Sequence, residues 1–138
     1  MLENYTIRRE QLASPQDLEY IDQMVKSRGT ARSDILTVTT FPLQNAAISL
    51  RAGTSDAVVY YETFLGLYHI PPRLPATVET LLDLGANIGL TAAHYCVLFP
   101  TCRILAVEPD TSMCGACDSK YANLERAMSN RKCSGLEG

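Results

Sequence analysis

The stretch LLDLGANIGL, residues 81–90, constrains this chain more than any other. An apolar run carries a carboxylate, Asp83, and passes into a turn that holds Gly85 and Gly89. The segment TVETLLDL (77–84) reads as a buried parallel strand, and IGLTAAHYCVLFP (88–100) as a helix stopped by Pro100. Ile88, Ala92, Cys96 and Phe99 keep one helix face apolar, as a helix lying on a sheet requires. CRILAVEPD (102–110) is a second buried strand, closed by Pro109. Strand, glycine turn, helix, strand is a βαβ unit, which places the chain in the α/β class.

Upstream of this unit the signals are local. Ser14 can cap a helix over SPQDLEYIDQMVKS (14–27), with Pro15 suited to its first position and Asp17 to its positive end. Leu18, Ile21, Met24 and Val25 fall on one face of it. ILTVTTF (35–41) and AAISLR (46–51) read as neighbouring strands joined by the turn-like PLQN. Thr54 or Ser55 caps AVVYYETFLGLY (57–68), a helix whose β-branched and aromatic content leaves a strand as the alternative. HIPPRLP (69–75) must be a loop, since its prolines suit neither a helix interior nor a central strand. Downstream, DSKYANLERAMSN (118–130) reads as a further helix, and RKCSGLEG as a tail without a strand. The organisation expected is a helical lead-in over 1–34, then a partial domain over 35–138 with its βαβ unit at 77–110.

Composition narrows the partners. A net charge of −3 gives no footprint for nucleic acid or an anionic membrane. No run approaches the roughly 18 apolar residues of a spanning helix. The opening MLENYTIRREQL lacks the apolar core of a signal peptide, so a cytoplasmic location is expected. The cysteines are odd in number, Cys96, Cys102, Cys114, Cys117 and Cys133, which suits reduced thiols better than a disulfide framework. CGAC (114–117) lacks a thioredoxin-like context, and only Cys133, His69 and His94 remain to complete a zinc site. The cysteines are therefore read as ordinary loop or helix-start residues, with no metal.

What the glycine turn holds follows from charge. Ligands of open α/β sheets bind at the carboxyl ends of the strands. There glycine lets the backbone approach a ligand, and the following helix offers free N–H groups. A dinucleotide site has the spacing G-x-G-x-x-G. This chain has D-x-G-x-N-x-G: Asp83, Gly85, Asn87 and Gly89. Asp83 would repel a pyrophosphate and attract a cation. S-adenosyl-L-methionine carries a sulfonium, an ammonium and a carboxylate but no phosphate. Its carboxylate can meet the helix end while Asp83 meets the ammonium, directly or through water. Glu108, at the end of the next strand, can accept hydrogen bonds from ribose hydroxyls, a need that NAD(P) shares. The competing reading is a turn whose glycines serve packing alone.

At these residues the chain resembles the class I S-adenosylmethionine-dependent methyltransferases, and more narrowly the FkbM family. LLDLGANIGLTAAHY is similar to that family's D-x-G-A-N-x-G stretch, RILAVEPD to its next strand, and LRAGTSDAVVYYETF (50–64) to its lead-in. The resemblance covers about residues 35 to 110. It implies a Rossmann-like class I methyltransferase fold, here incomplete, with later strands missing after the first βαβ unit. It assigns Asp83, Gly85, Ala86, Asn87 and Gly89 to the methionine end of the cofactor and Glu108 to the ribose. Pro109 and Asp110 would border the adenine. Residues 53–56 and Glu62 would face cofactor or substrate, although capping and packing account for them equally.

The function so implied is methylation, on an oxygen of a small molecule or sugar, by a cofactor-binding fragment that is inactive or active alone. The alternatives are an NAD(P)-dependent oxidoreductase and a truncated, non-catalytic binding protein. No residue is assigned as catalytic, because His94 lies within a helix as a surface or packing residue. A first core strand without its second neighbour leaves ladder hydrogen bonds and apolar surface open. The chain is therefore expected to unfold in urea with less than the roughly 5–15 kcal/mol of ordinary domains; a cooperative transition within that range would contradict the expectation.

Overall fold

The computed structural model describes residues 5–29, 34–110 and 132–135. The chain is mixed α/β and divides into two compact units, Leu2–Arg73 and Leu74–Gly138. The division falls in the proline-rich loop; the boundary expected between residues 34 and 35 lies inside the first unit.

The first unit begins with a 3-10 turn at Arg9–Gln11 and helix α1 (Pro15–Lys26). Ser14 caps α1, its hydroxyl accepting from the Asp17 amide at 3.1 Å, and Pro15 takes the first position. Leu18, Ile21 and Met24 are buried at helical spacing, while Val25 is half-buried. β1 (Ile35–Thr40) and β2 (Ala46–Arg51) pair antiparallel, with Thr40 opposite Ala46 and Ile35 opposite Arg51. Their connection is a 3-10 turn, Phe41–Leu43, followed by Gln44 and Asn45 in the left-handed region at φ +56° and +63°. Helix α2 (Asp56–Tyr61) runs into a π-helical turn, Glu62–Gly66, which ends on left-handed Leu67. The helix expected over 57–68 is thus real but widens and stops early. Thr54, not Ser55, supplies the side-chain cap, its Oγ1 accepting from the Asp56 amide at 3.2 Å.

Several buried polar groups inside this unit are paired, although the buried Thr63 hydroxyl has no hydrogen-bond partner among the described residues. The Leu12 carbonyl accepts from the Phe41 amide at 2.8 Å and from the Tyr60 hydroxyl at 3.2 Å, tying three segments to one oxygen. Burial pushes the Tyr60 hydroxyl up to about 12, so it stays a donor. Tyr61 donates to Asp22 at 2.6 Å and Arg9 donates to the other oxygen of that carboxylate at 2.6 Å, joining α2, α1 and the 3-10 turn before α1. Asp56 is fully buried and accepts from the Arg51 amide at 2.9 Å and from its guanidinium at 3.0 and 2.8 Å.

The second unit is a three-stranded parallel sheet in the order β3 (Thr80–Leu84), β4 (Arg103–Glu108), β5 (Lys132–Gly135), with helix α3 (Leu90–Leu98) between β3 and β4. Ala92 and Cys96 of α3 join Ala86, Cys102, Ile104 and Ala106 in a buried cluster, flanked by Val78, Leu81, Tyr95 and Phe99. Two expectations are corrected. β3 and β4 are not buried on both faces: Leu82, Leu84 and Leu105 are 56%, 71% and 43% exposed, because α3 covers only the face that carries Leu81, Ile104 and Ala106. The tail is not without a strand: residues 132–135 extend the ladder, with Cys133 opposite Ala106 and Gly135 opposite Glu108. A segment as poor in β-branched residues as KCSG gives no local strand signal; the open edge of β4 recruits it. Among the described residues, β3 pairs on one side only. The helix expected over 118–130 and the CGAC segment lie outside the described residues.

The Arg51–Asp56 pair offers an energetic test. Burial by itself raises the Asp56 pKa, but hydrogen bonds and charge from Arg51, with Thr54, outweigh it and hold the carboxyl below its ordinary value. Asp56→Ala strands the Arg51 amide and a guanidinium that still reaches solvent, so the expected loss is about 2–3 kcal/mol in urea unfolding at neutral pH. The stability from the lowered pKa is complete above the ordinary carboxyl value and lost as pH falls through the folded one. Wild type and variant should therefore converge in acid, below about pH 4.

Candidate functional site

Because β3 and β4 are parallel, their carboxyl ends share one edge of the sheet, with Asp83 opposite Ala106 and Leu84 opposite Val107. The chain leaves β3 in a turn bound back to β4. The Gly85 and Ala86 amides both donate to the Val107 carbonyl, at 2.9 and 3.0 Å. Gly85, Asn87 and Gly89 take left-handed backbone at φ +75°, +51° and +80°. Open space surrounds the position where a Cβ would stand on Gly85, so conformation rather than crowding calls for glycine there. Asn87 is among the few other residue types that enter this region readily. The Gly89 amide closes the turn on the Ala86 carbonyl at 2.7 Å, and the Ala93 amide opens α3 by bonding to the Gly89 carbonyl at 3.0 Å.

Glu108 ends β4 as a buried carboxylate. One oxygen accepts from the Asn87 amide at 2.7 Å and the other from the Asp110 amide at 2.9 Å. The side chain thus bridges the glycine turn and the exposed Pro109–Asp110 segment. A carboxylate is an acceptor only, so every group that Glu108 engages in this way must be a donor.

Asp83 is half-buried on the face that α3 covers. Burial raises its pKa; the Ala92 amide in the first turn of α3 pulls the other way, and the charge of Glu108 adds to the rise. The net shift is upward. Tyr95 is raised too, first by its own burial and then by the charge of Asp83. Asp83 Oδ2 and Asn87 Oδ1 are both buried acceptors with no hydrogen-bond partner among the described residues. Buried polar atoms are nearly always paired, so two orphans close together, one at the end of β3 and one in the turn after it, leave room for donors from a ligand or water. An ammonium or hydroxyl brings such donors, whereas a phosphate brings acceptors.

The fold therefore brings Asp83, Gly85, Ala86, Asn87, Gly89, Glu108, Pro109 and Asp110 to one end of one sheet. Ala86 and Glu108 are buried, while Gly85, Pro109 and Asp110 form an exposed rim. Among the GTSD residues, Thr54 and Asp56 are engaged in the β2–α2 corner of the first unit, and Glu62 lies exposed on the π-helical turn. His94 is fully buried in α3. Tyr95 is the neighbour of Asp83 that the motif did not indicate; its place one helical turn after Ala92 was the only signal. Among the described residues, no three His, Cys, Asp or Glu side chains converge as a metal site, and no helix is long and apolar enough to cross a membrane. No protein-family model matches the chain, and no curated protein matches it.

The strained charge of Asp83 has a measurable signature. An acid whose folded pKa is raised lowers stability once pH exceeds that value, and costs nothing below its unfolded one. Asp83→Asn should therefore raise the thermal midpoint at neutral pH, with the gain fading as pH drops from the raised folded value to the ordinary carboxyl value. Destabilisation at neutral pH would show that the carboxylate is held by favourable contacts instead.

Proposed function

We propose that this chain binds S-adenosyl-L-methionine as the cofactor-binding part of a class I methyltransferase of the FkbM type, with a Rossmann-like sheet, acting on an oxygen of a small molecule or sugar. The observation that carries this reading is the pair of buried acceptors without donors, Asp83 Oδ2 and Asn87 Oδ1, at a glycine turn on the carboxyl edge of a parallel sheet. In this reading Asp83 and Asn87 receive the ammonium of the methionine end. The open space beside Gly85 admits the ligand close to the backbone. In the same reading Glu108 accepts from the ribose hydroxyls, and Pro109 and Asp110 border the adenine.

When bound, the cofactor supplies a methyl group on a cationic sulfur, a leaving group that needs no proton. This chain's own residues hold and orient that donor, the contribution on which such a transfer chiefly depends. Glu108 discriminates little from a nicotinamide coenzyme. Asp83 does, because a diphosphate placed at the turn would meet its carboxylate and a second acceptor, Asn87 Oδ1, that also lacks a donor among the described residues.

Calorimetric titration decides between them. The protein is expected to bind S-adenosylhomocysteine and not NADH. Asp83→Ala should weaken binding about ten- to a hundred-fold, the range of a lost charge-assisted hydrogen bond, and Glu108→Ala should weaken it similarly. Binding of NADH alone, or unchanged affinity in both variants, would remove the assignment.

A further inference from the structure

We propose that Glu108 is a positioning residue whose carboxylate latches the glycine turn in its binding conformation before any ligand arrives. The proposal rests on reading the turn as a ligand site, and it adds a role for Glu108 beyond meeting a ribose.

Four observations lead there. The carboxylate joins two segments far apart in sequence, through the Asn87 amide at 2.7 Å and the Asp110 amide at 2.9 Å. It stands on a fixed base, since Glu108 lies within β4 and pairs with Gly135 of β5. It is 8% exposed, and a carboxylate that far from water needs hydrogen-bond donors to remain there. Lastly, the first half of the turn is tied by the Gly85 and Ala86 amides to Val107, but its middle residue is Asn87, an L-residue at φ +51°. Asparagine enters this region readily but is not confined to it, and the Glu108 oxygen on its amide favours the left-handed state over the alternatives. One side chain thereby sets the backbone that presents Asn87 Oδ1, and it lies close enough to Asp83 for its charge to be felt there. Affinity at the methionine end then depends on Glu108 without any contact between that end and Glu108.

The test separates this latch from a direct ribose contact by a thermodynamic cycle. The probes are S-adenosylhomocysteine and its 2′,3′-dideoxy analogue, titrated into the full chain and into Glu108→Gln, which is isosteric but turns one acceptor into a donor. The latch predicts that Glu108→Gln weakens the dideoxy analogue about ten-fold, although that analogue has no hydroxyl for residue 108 to bind. It also predicts that amide exchange over residues 84–90 of the ligand-free protein speeds up about ten-fold, with residues 15–26 unchanged. Glu108→Asp, which keeps the charge but is one methylene too short to bridge both amides, should show the same losses. Equal binding of the dideoxy analogue to wild type and Glu108→Gln would assign Glu108 to the ribose alone and overturn the latch. Unchanged exchange over 84–90, or full recovery by Glu108→Asp, would overturn it too. If neither nucleoside binds the wild type, the methyltransferase reading fails, and the exchange measurement still decides whether Glu108 holds the turn.

Discussion

The register between β3 and β4 fixes the candidate site. With Asp83 opposite Ala106 and Leu84 opposite Val107, the turn after β3 and the segment after β4 emerge side by side. The Val107 carbonyl can then receive two amides from the turn, and Glu108 can reach a third. A strand's side chains alternate between faces, so a slip of one residue would turn Asp83 outward and drive Leu82 and Leu84 toward α3. The buried cluster of Ala86, Ala92, Cys96, Cys102, Ile104 and Ala106 opposes such a slip by filling the space under the helix with small side chains. Packing on one face therefore sets the chemistry at the end of the sheet.

The β2–α2 corner and the glycine turn treat buried polarity in opposite ways, and the Thr63 hydroxyl of the first unit is a further buried atom without a partner among the described residues. In the first unit, the buried carboxylate of Asp56 has an arginine and the Leu12 carbonyl has two donors. Those groups are matched within the protein and specify the corner where β2 meets α2. In the second unit, Asp83 and Asn87 each keep an acceptor without a donor, and two carboxylates feel one another. Proteins tolerate such mismatches mainly where a site needs them. The contrast is why the glycine turn, rather than the ion-paired corner, carries the functional proposal.

Legibility in the sequence followed the range of the interaction. Ser14, Pro15 and Asp17 announced α1 because a cap acts within three residues, and the alternation of ILTVTT announced β1 because it reflects the strand's own pleat. Asp83, Gly85, Asn87 and Gly89 were legible as a turn at a strand end for the same local reason. The half-exposed state of TLLDL was not, since an apolar run has the same letters whether one face or two are covered. The strand at 132–135 was hidden because its only cause is the hydrogen-bonding edge of a distant β4. Glu108 was recognisable as an acid at the right place, but its engagement with Asn87 depends on backbone angles twenty-one positions earlier. The π-helical widening after Tyr61 had no signal in the helical spacing of residues 57–68.

The difference in connectivity between the sheets also bears on the order of events during folding. The β1–β2 pair closes across residues 41–45, a hairpin contact of the kind that forms in about 1–10 μs. Thr80 must instead find Arg103 across a turn and a helix, and β5 must arrive from farther still. Such non-local parallel pairing is slow to assemble. A nascent chain thus spends its early life with the hairpin made and Leu82, Leu84 and an unpaired strand edge available to other chains. The interval before the parallel sheet closes is therefore when pairing between chains competes most strongly with folding.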